Sequence, residues 1–359
     1  MRSSLKTLFK ASIALLLVAA FSTSAFAADK PKFKLAWSIY VGWMPWAYAV
    51  DHGIVKKWAD KYGIDIEVVQ INDYIESINQ FTAGQFQACM MTNMDALTIP
   101  AAGGVDTTAL IVGDFSNGND GIILKGKGKT LADIKGQNVN LVELSVSHYL
   151  LARALDTVKL AERDVTVVNT SDADMVSVFP TADVTAMVTW NPQLSEILKS
   201  NKDATLVFDS SKTPGEIIDM TMINTEVMKK HPEFAKALVG AWYETVGIMS
   251  KDDEKGKEAR AFMGKASGTD LAGYEAQLKA TKMFYAPAEG VSFVKSEDLV
   301  KTMDLVRTFS FDHGILGEGA KTADAVGIEF PGGKVLGDKS NVKLRYTAEF
   351  MQMAAEGKL

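Results

Sequence analysis

KLAWSIYVGWMPWAYAVDHGIVKKWADKYGIDIEVVQINDYIESINQFTAGQFQACMM, residues 34–91, decides the fold. Lys34 to Ile39 reads as a strand, and Tyr40-Val41-Gly42-Trp43-Met44-Pro45 as the loop at its end. A helix is expected from about Trp46 to Lys61, then a strand from Ile64 to Gln70. Asp73 and Glu76 make a capping box for a helix that ends near Gly84. Residues 86–91 form a compact apolar strand around Cys89. Strands that alternate with helices at this spacing build parallel sheets covered by helices.

The alternation continues outward. Strands are expected at 107–112, 120–124, 138–143, 165–169, 184–188 and 204–208. Helices are expected at 94–102, 146–158, 172–179 and 193–200. From about Thr225 to Asp312 the chain reads mostly helical, at 231–250, 252–264, 270–281 and 296–312. His231-Pro232-Glu233 starts one of these with Pro in the first turn. A Gly-rich tail from about Ala320 ends in a short helix near 347–355.

Two polar, turn-rich stretches read as crossings between domains: Gly113–Asp120 and Asp209–Gly215. Residues 28–116 and 212–359 are then one lobe and 117–211 the other, with a hinge at the two crossings.

Arg2, Lys6 and Lys10 precede a short apolar run, Ile13 to Phe21, and Ala25-Phe26-Ala27 offers a cleavage site. Residues 1–27 thus read as a signal peptide. No cysteine stands at that site, so no lipid anchor is expected. The expected location is the periplasm.

Composition narrows the function. The 359 residues are 47% hydrophobic and 23% charged, enough apolar material for a large core. A net charge of −6 argues against nucleic acid as a partner. The single cysteine, Cys89, excludes a disulfide scaffold and reads as a buried, inert thiol. His52, His148, His231 and His313 show no metal-ligand spacing, and no HExxH, GxSxG or P-loop occurs. No metal, cofactor or catalysis is expected; a binder fits better than an enzyme.

Several segments together resemble the periplasmic solute-binding proteins of ABC importers, of the nitrate/sulfonate/taurine type. Trp43–Ala49 followed by Gly53-Ile54 is similar to that family's opening loop and helix. Ile78–Ala88 resembles its central helix-to-strand segment. Ser145–Leu151 resembles a helix start, and Asp164–Val168 followed by Ala182–Ala186 and Trp190-Asn191-Pro192 resembles a later strand run. The resemblance implies an α/β chain of the periplasmic-binding-protein type II fold: two α/β lobes, a hinge and a ligand cleft. It further implies a monomer that binds a small-molecule ligand and delivers it to an ABC permease in the inner membrane. Within the family the chain most resembles the urea-carboxylase-associated branch, whose ligands are urea or guanidine-like nitrogen compounds.

The residues themselves point the same way. An oxyanion site wants Arg, Lys or bare helix N-termini. Past residue 27 only five arginines occur, at 153, 163, 260, 307 and 345, and Arg153 is expected to point away from the cleft. Acidic residues stand at or near expected strand ends: Asp95, Asp114, Asp120 and Glu143. Guanidinium is flat, rich in N–H donors, and wants carboxylates in plane and aromatic faces above and below. The candidate ligand-binding residues are Tyr40, Trp43, Trp46, Asn93, Asp95, Asp114, Glu143, Ser145, Ser147 and Trp190.

Blander roles stand beside these. Trp43 and Trp46 could cover the core, Asp95 could cap a helix, Asp114 could bond hinge backbone, and Glu143 could be solvated. A sulfonate such as taurine, or a thiamine-type pyrimidine, is the alternative ligand. A sensor that presents its ligand to a receptor is an alternative to import. Pyrimidine-synthesising enzymes of the thiamine pathway share the fold family. The cysteine-rich motif they resemble is not present here.

Overall fold

Apolar runs buried on both faces become inner strands, while half-exposed runs become edges. Walking the chain, β1 (Lys32–Trp37), β2 (Asp65–Gln70), β3 (Ala88–Thr92) and β4 (Thr107–Ser116) belong to a first sheet. β5 (Asp120–Lys125), β6 (Asn138–Leu141), β7 (Thr166–Asn169), β8 (Ala186–Trp190) and β9 (Ala204–Asp209) form a second sheet, in the order β7-β6-β8-β5-β9. The chain then returns with β10 (Ile218–Asn224), β11 (Thr281–Met283), β12 (Gly327–Glu329), β13 (Val335–Leu336) and β14 (Val342–Tyr346). These complete the first sheet in the order β13-β12-β14-β4-β10-β3-β1-β2, with β11 paired to β4. β3 and β8 are buried throughout, whereas the edge strands β2 and β7 hold no fully buried residue. The structure is a computed structural model describing residues 30–317 and 319–359, and residues 32–359 form one compact unit. The expected signal peptide, residues 1–27, lies outside the described residues.

The sheets are mixed rather than parallel. β10 runs antiparallel to both β3 and β4, and β5 runs antiparallel to both β8 and β9. Both reversed strands are the ones by which the chain enters a sheet after changing sheets. The first change is short, residues 117–119. β4 does not stop at 112 but runs on through Gly113 and Asp114. Gly113 stays in the strand because Trp242 covers it: a Cβ there would lie 2.7 Å from the indole Cζ2. The second change spans residues 210–217.

Three further departures have local causes. The helix expected over 46–61 is broken into Pro45–Asp51 and Ile54–Lys61, because Gly53 takes a left-handed φ of 69°. The tail after Ala320 supplies β12–β14, and β14 pairs in parallel with β4. Strand β10 and the helix Pro287–Val294 were not anticipated, since mixed polar and small residues blur their periods.

Cys89 is enclosed in β3 beside Ser77, and burial pushes its thiol up to about 12. The helix Pro232–Met249 packs on Ile54–Lys61 with the Trp58 ring laid on Gly240. A Cβ at 240 would lie 2.4 Å from that ring. Gly240→Ala is expected to cost about 1–3 kcal/mol through overpacking. Urea unfolding should show a lower midpoint and an unchanged slope.

Candidate functional site

Sheet register assembles the site. In the first sheet, Asp219 of β10 lies opposite Thr92 of β3 on one side and Asp114 of β4 on the other. In the second, Asp120 of β5 lies opposite Trp190 of β8. A 3₁₀ turn at Val41–Trp43 follows β1 and brings Tyr40 and Trp43 to the same place. Asp73 caps the helix Tyr74–Thr82 by accepting from the Glu76 N–H at 2.9 Å, which sets Tyr74 at the helix start.

These residues surround a cavity of about 20 Å³. That exceeds the ~10–15 Å³ that one water needs. Tyr40, Trp43, Tyr74 and Trp190 form its aromatic wall. Ring centroids are 5.3 Å apart for Tyr40–Trp43, 5.6 Å for Trp43–Tyr74 and 5.6 Å for Tyr74–Trp190. Asp219 and Asp120 supply a carboxylate from each sheet; Thr92, Val146 and Ile217 complete the lining. No Lys, Arg or His is among the lining residues.

Two more buried carboxylates stand behind this wall. Asp114 accepts from the Tyr40 hydroxyl at 3.1 Å. Asp95 accepts from the Tyr74 hydroxyl at 2.6 Å and the Thr92 hydroxyl at 2.8 Å. Burial raises all four acids. Asp95 goes to about 6 against the pull of the Tyr74 and Thr92 hydroxyls and the Val146 N–H. Asp114 and Asp120 each go to about 7. Asp219 is pushed well above the usual carboxylate range by burial and then by the charges of Asp114 and Asp120. The Tyr40 and Tyr74 phenols are also raised, by burial and then by these same carboxylates. Trp43 Nε1 is a buried donor with no acceptor, and Asp219 Oδ2 a buried acceptor with no donor.

The ten expected residues separate. Tyr40, Trp43 and Trp190 line the cavity, and Asp95 and Asp114 stand just behind it. Trp190 also donates from Nε1 to the Ile39 carbonyl at 3.2 Å. Asp95 is inside the short helix Asn93–Ala96, whose N-cap is Thr92, so it is not a cap. Trp46 is a correction: it is fully buried against Trp242 and donates to Met90 Sδ, a core position. Asn93 braces the returning chain, donating to the Glu216 carbonyl and accepting from the Ile218 N–H, both at 3.0 Å. Glu143 is exposed on an outer groove with Asp73 and Asn169, because β6 ends two residues before it and the chain turns outward. Ser145 is consumed as the N-cap of the helix Val146–Thr157. Ser147 is buried in that helix with its hydroxyl unpartnered, and does not line the cavity.

Asp120, Asp219, Tyr74, Thr92, Val146 and Ile217 were missed as ligand-binding residues, Asp120 having been noted only as an acid near an expected strand end. Asp219 did leave a signal: it is the one charge in the apolar run from Ile217 to Ile223. Arg153 turns to Glu216, with Nε 2.9 Å from the carboxylate, and takes no part in the wall.

An acid raised in the folded state stabilises the fold fully below its unfolded pKa, and that contribution is lost as pH rises through the folded value. For these four the loss runs from about pH 4 to beyond pH 7. Asp120→Asn or Asp219→Asn should therefore raise the melting temperature of the empty protein by roughly 2–4 °C near pH 8. Near pH 4 the gain should vanish. Calorimetric melts at the two pH values check this.

Comparison with known proteins agrees with this architecture. Residues 53–256 match a family described as NMT1/THI5 like. A curated relative from Brucella abortus, provisionally named a binding protein, is 24% identical over 244 residues, 67% of this chain and 71% of its own. The alkanesulfonate-binding protein SsuA from Xanthomonas axonopodis, solved with MOPS, superposes with a TM-score of 0.66 at 17% identity. That match covers 81% of this chain and 96% of the other. The periplasmic nitrate-binding protein NrtA from Synechocystis superposes with a TM-score of 0.64 at 12% identity, over 92% of this chain and 89% of the other. The fold is that of the periplasmic binding proteins, and the chain belongs to the NMT1/THI5-like family.

Proposed function

We propose that this protein is the solute-binding component of an ABC importer. It works in the periplasm after loss of residues 1–27, and it captures a small nitrogen compound of the guanidine type. Residues 28–116 with 212–359, and residues 117–211, are the two moving halves. A membrane permease receives the loaded form. The role is capture without chemistry.

One observation carries the choice of solute: a carboxylate from each sheet lines one small aromatic cavity that no basic side chain lines. Two like charges about 4 Å apart repel by roughly 4 kcal/mol at an effective dielectric of 20. Asp120 and Asp219 thus oppose closure when both are ionised, and a cation between them reverses the sign. Cation–π attraction to Trp43, Tyr74 and Trp190 adds about 0.5–2 kcal/mol per good contact. A solute touching both halves shifts the population towards closure, because the open form offers it only part of these contacts. Nitrate or a sulfonate would meet the same carboxylates as repulsion.

A neutral solute of the urea type is the second reading. The unpartnered Trp43 Nε1–H favours it, since guanidinium has no acceptor to offer that donor.

A thermal-shift series at neutral pH tests both. Millimolar guanidinium or methylguanidine should raise the melting temperature by mass action, with urea weaker and nitrate, taurine and pyrimidines inert. Trp43→Ala should lose the shift, while Glu143→Ala, outside the cavity, should keep it. A clear shift with nitrate or taurine and none with guanidinium rejects the cation reading.

A further inference from the structure

The cavity has a second layer that the capture scheme does not use. Asp114 sits directly behind Asp219, on the neighbouring strand and in register with it. Both side chains are essentially inaccessible, and as directly opposed residues of an antiparallel pair they point to the same face of the sheet, with Cβ atoms about 4.5–5.5 Å apart. Each nevertheless keeps one oxygen, Oδ2, with no donor from the protein. Asp114 Oδ1 already has the Tyr40 hydroxyl. The remaining approach to Asp114 is closed by backbone: a Cβ on Gly42 would fall 2.7 Å from Oδ2 and 2.9 Å from Oδ1.

Two facing carboxyl groups can hydrogen-bond each other only if a proton lies between them. The titratable groups acting on the pair are Asp120, Tyr40, Tyr274 and Tyr285, and every one of them is acidic. Lys282, on the adjoining strand β11, is exposed and pairs with Glu289 at 3.9 Å. Among the described residues, none of the groups named as acting on the pair is a cation.

We infer that Asp114 and Asp219 share one proton in the empty protein and surrender it when a cation enters the cavity, but keep it when the solute is neutral. The pair reads the charge of the solute. This rests on the functional reading above and sharpens it: the favoured substrate class is a monocation that donates hydrogen bonds. The balance is simple. One cation enters beside Asp219, one proton leaves the pair for bulk water, and the charge of the buried site is unchanged. Affinity for the cation consequently falls as pH drops, by up to tenfold per pH unit below the pair's titration. Affinity for a neutral solute stays flat.

The test uses the intact protein and infrared difference spectroscopy at neutral pH, with guanidinium, urea and taurine as probes. The empty protein should show a protonated-carboxyl stretch that shifts in deuterated water. Guanidinium should abolish it and urea should leave it. Titration calorimetry in two buffers of different ionisation enthalpy should count about one proton released per guanidinium bound and none per urea. In Asp114→Asn the empty-state band and the proton release should both disappear; should that variant not fold, the wild-type spectra decide alone. A missing band in the empty protein overturns the inference. So does guanidinium binding with the band intact, although the guanidine reading then stands. Binding of taurine alone, with the band unmoved, overturns both.

Discussion

Burying a carboxylate without a cation is among the least favourable things a folded chain can do. Here four of them, Asp95, Asp114, Asp120 and Asp219, converge on one small space, and the rest of the core is arranged to tolerate that. Phenols and hydroxyls from Tyr40, Tyr74 and Thr92 take the place of counter-ions. The arginines are turned elsewhere: Arg153 to Glu216, Arg260 to Glu275 and Arg345 to Asp106 and Glu329. Such a centre is held by the surrounding fold rather than contributing to its stability. That is the pattern expected where binding, not folding, has set the residues.

Residues 117–211 meet the rest of the chain through polar contacts at the cavity rim and through apolar packing, since Val142, Tyr149 and Trp190 share one buried cluster with Trp43 and Tyr74. Asp73, already a helix cap, accepts from Ser171 at 2.8 Å, and Asp172 accepts from the Tyr74 N–H at 3.0 Å. The Val41 N–H donates to the Asn191 carbonyl at 3.2 Å. Farther out, Glu162 lies 3.4 Å from His148 and 3.0 Å from His313, and these histidines hold its carboxyl below the usual range against burial. The Tyr149 ring meets Phe309 edge-on at 4.9 Å.

Much of this architecture was legible in the order of residues. Alternating apolar runs and capping signals placed β1 to β9 and most helices to within a few residues. The aromatic loop after β1 and the Trp190-Asn191-Pro192 turn marked the cavity because both follow strand carboxyl ends, where α/β folds bind ligands. That same rule kept the central acids out of the expected ligand-binding set. Asp120 and Asp219 stand at the amino ends of strands, and come to the cavity only because β5 and β10 run against their neighbours. Strand direction is a tertiary outcome of the chain changing sheets, and no local period encodes it. Trp46 failed for a simpler reason: a buried indole on a helix is written with the same letters whether it faces a cavity or Met90 and Trp242.

The division of the acids between the sheets has one more implication. Asp114 and Asp219 ride on β4 and β10, and Asp95 follows β3, so three of the four belong to the first sheet. Drawing the sheets apart would split the cluster three to one and leave the proton-sharing couple whole on its own side. Under the proposed capture, the first sheet would thus be the landing stage for an arriving solute, and the second, with its solitary Asp120 and the Trp190 indole, the hand that folds over it.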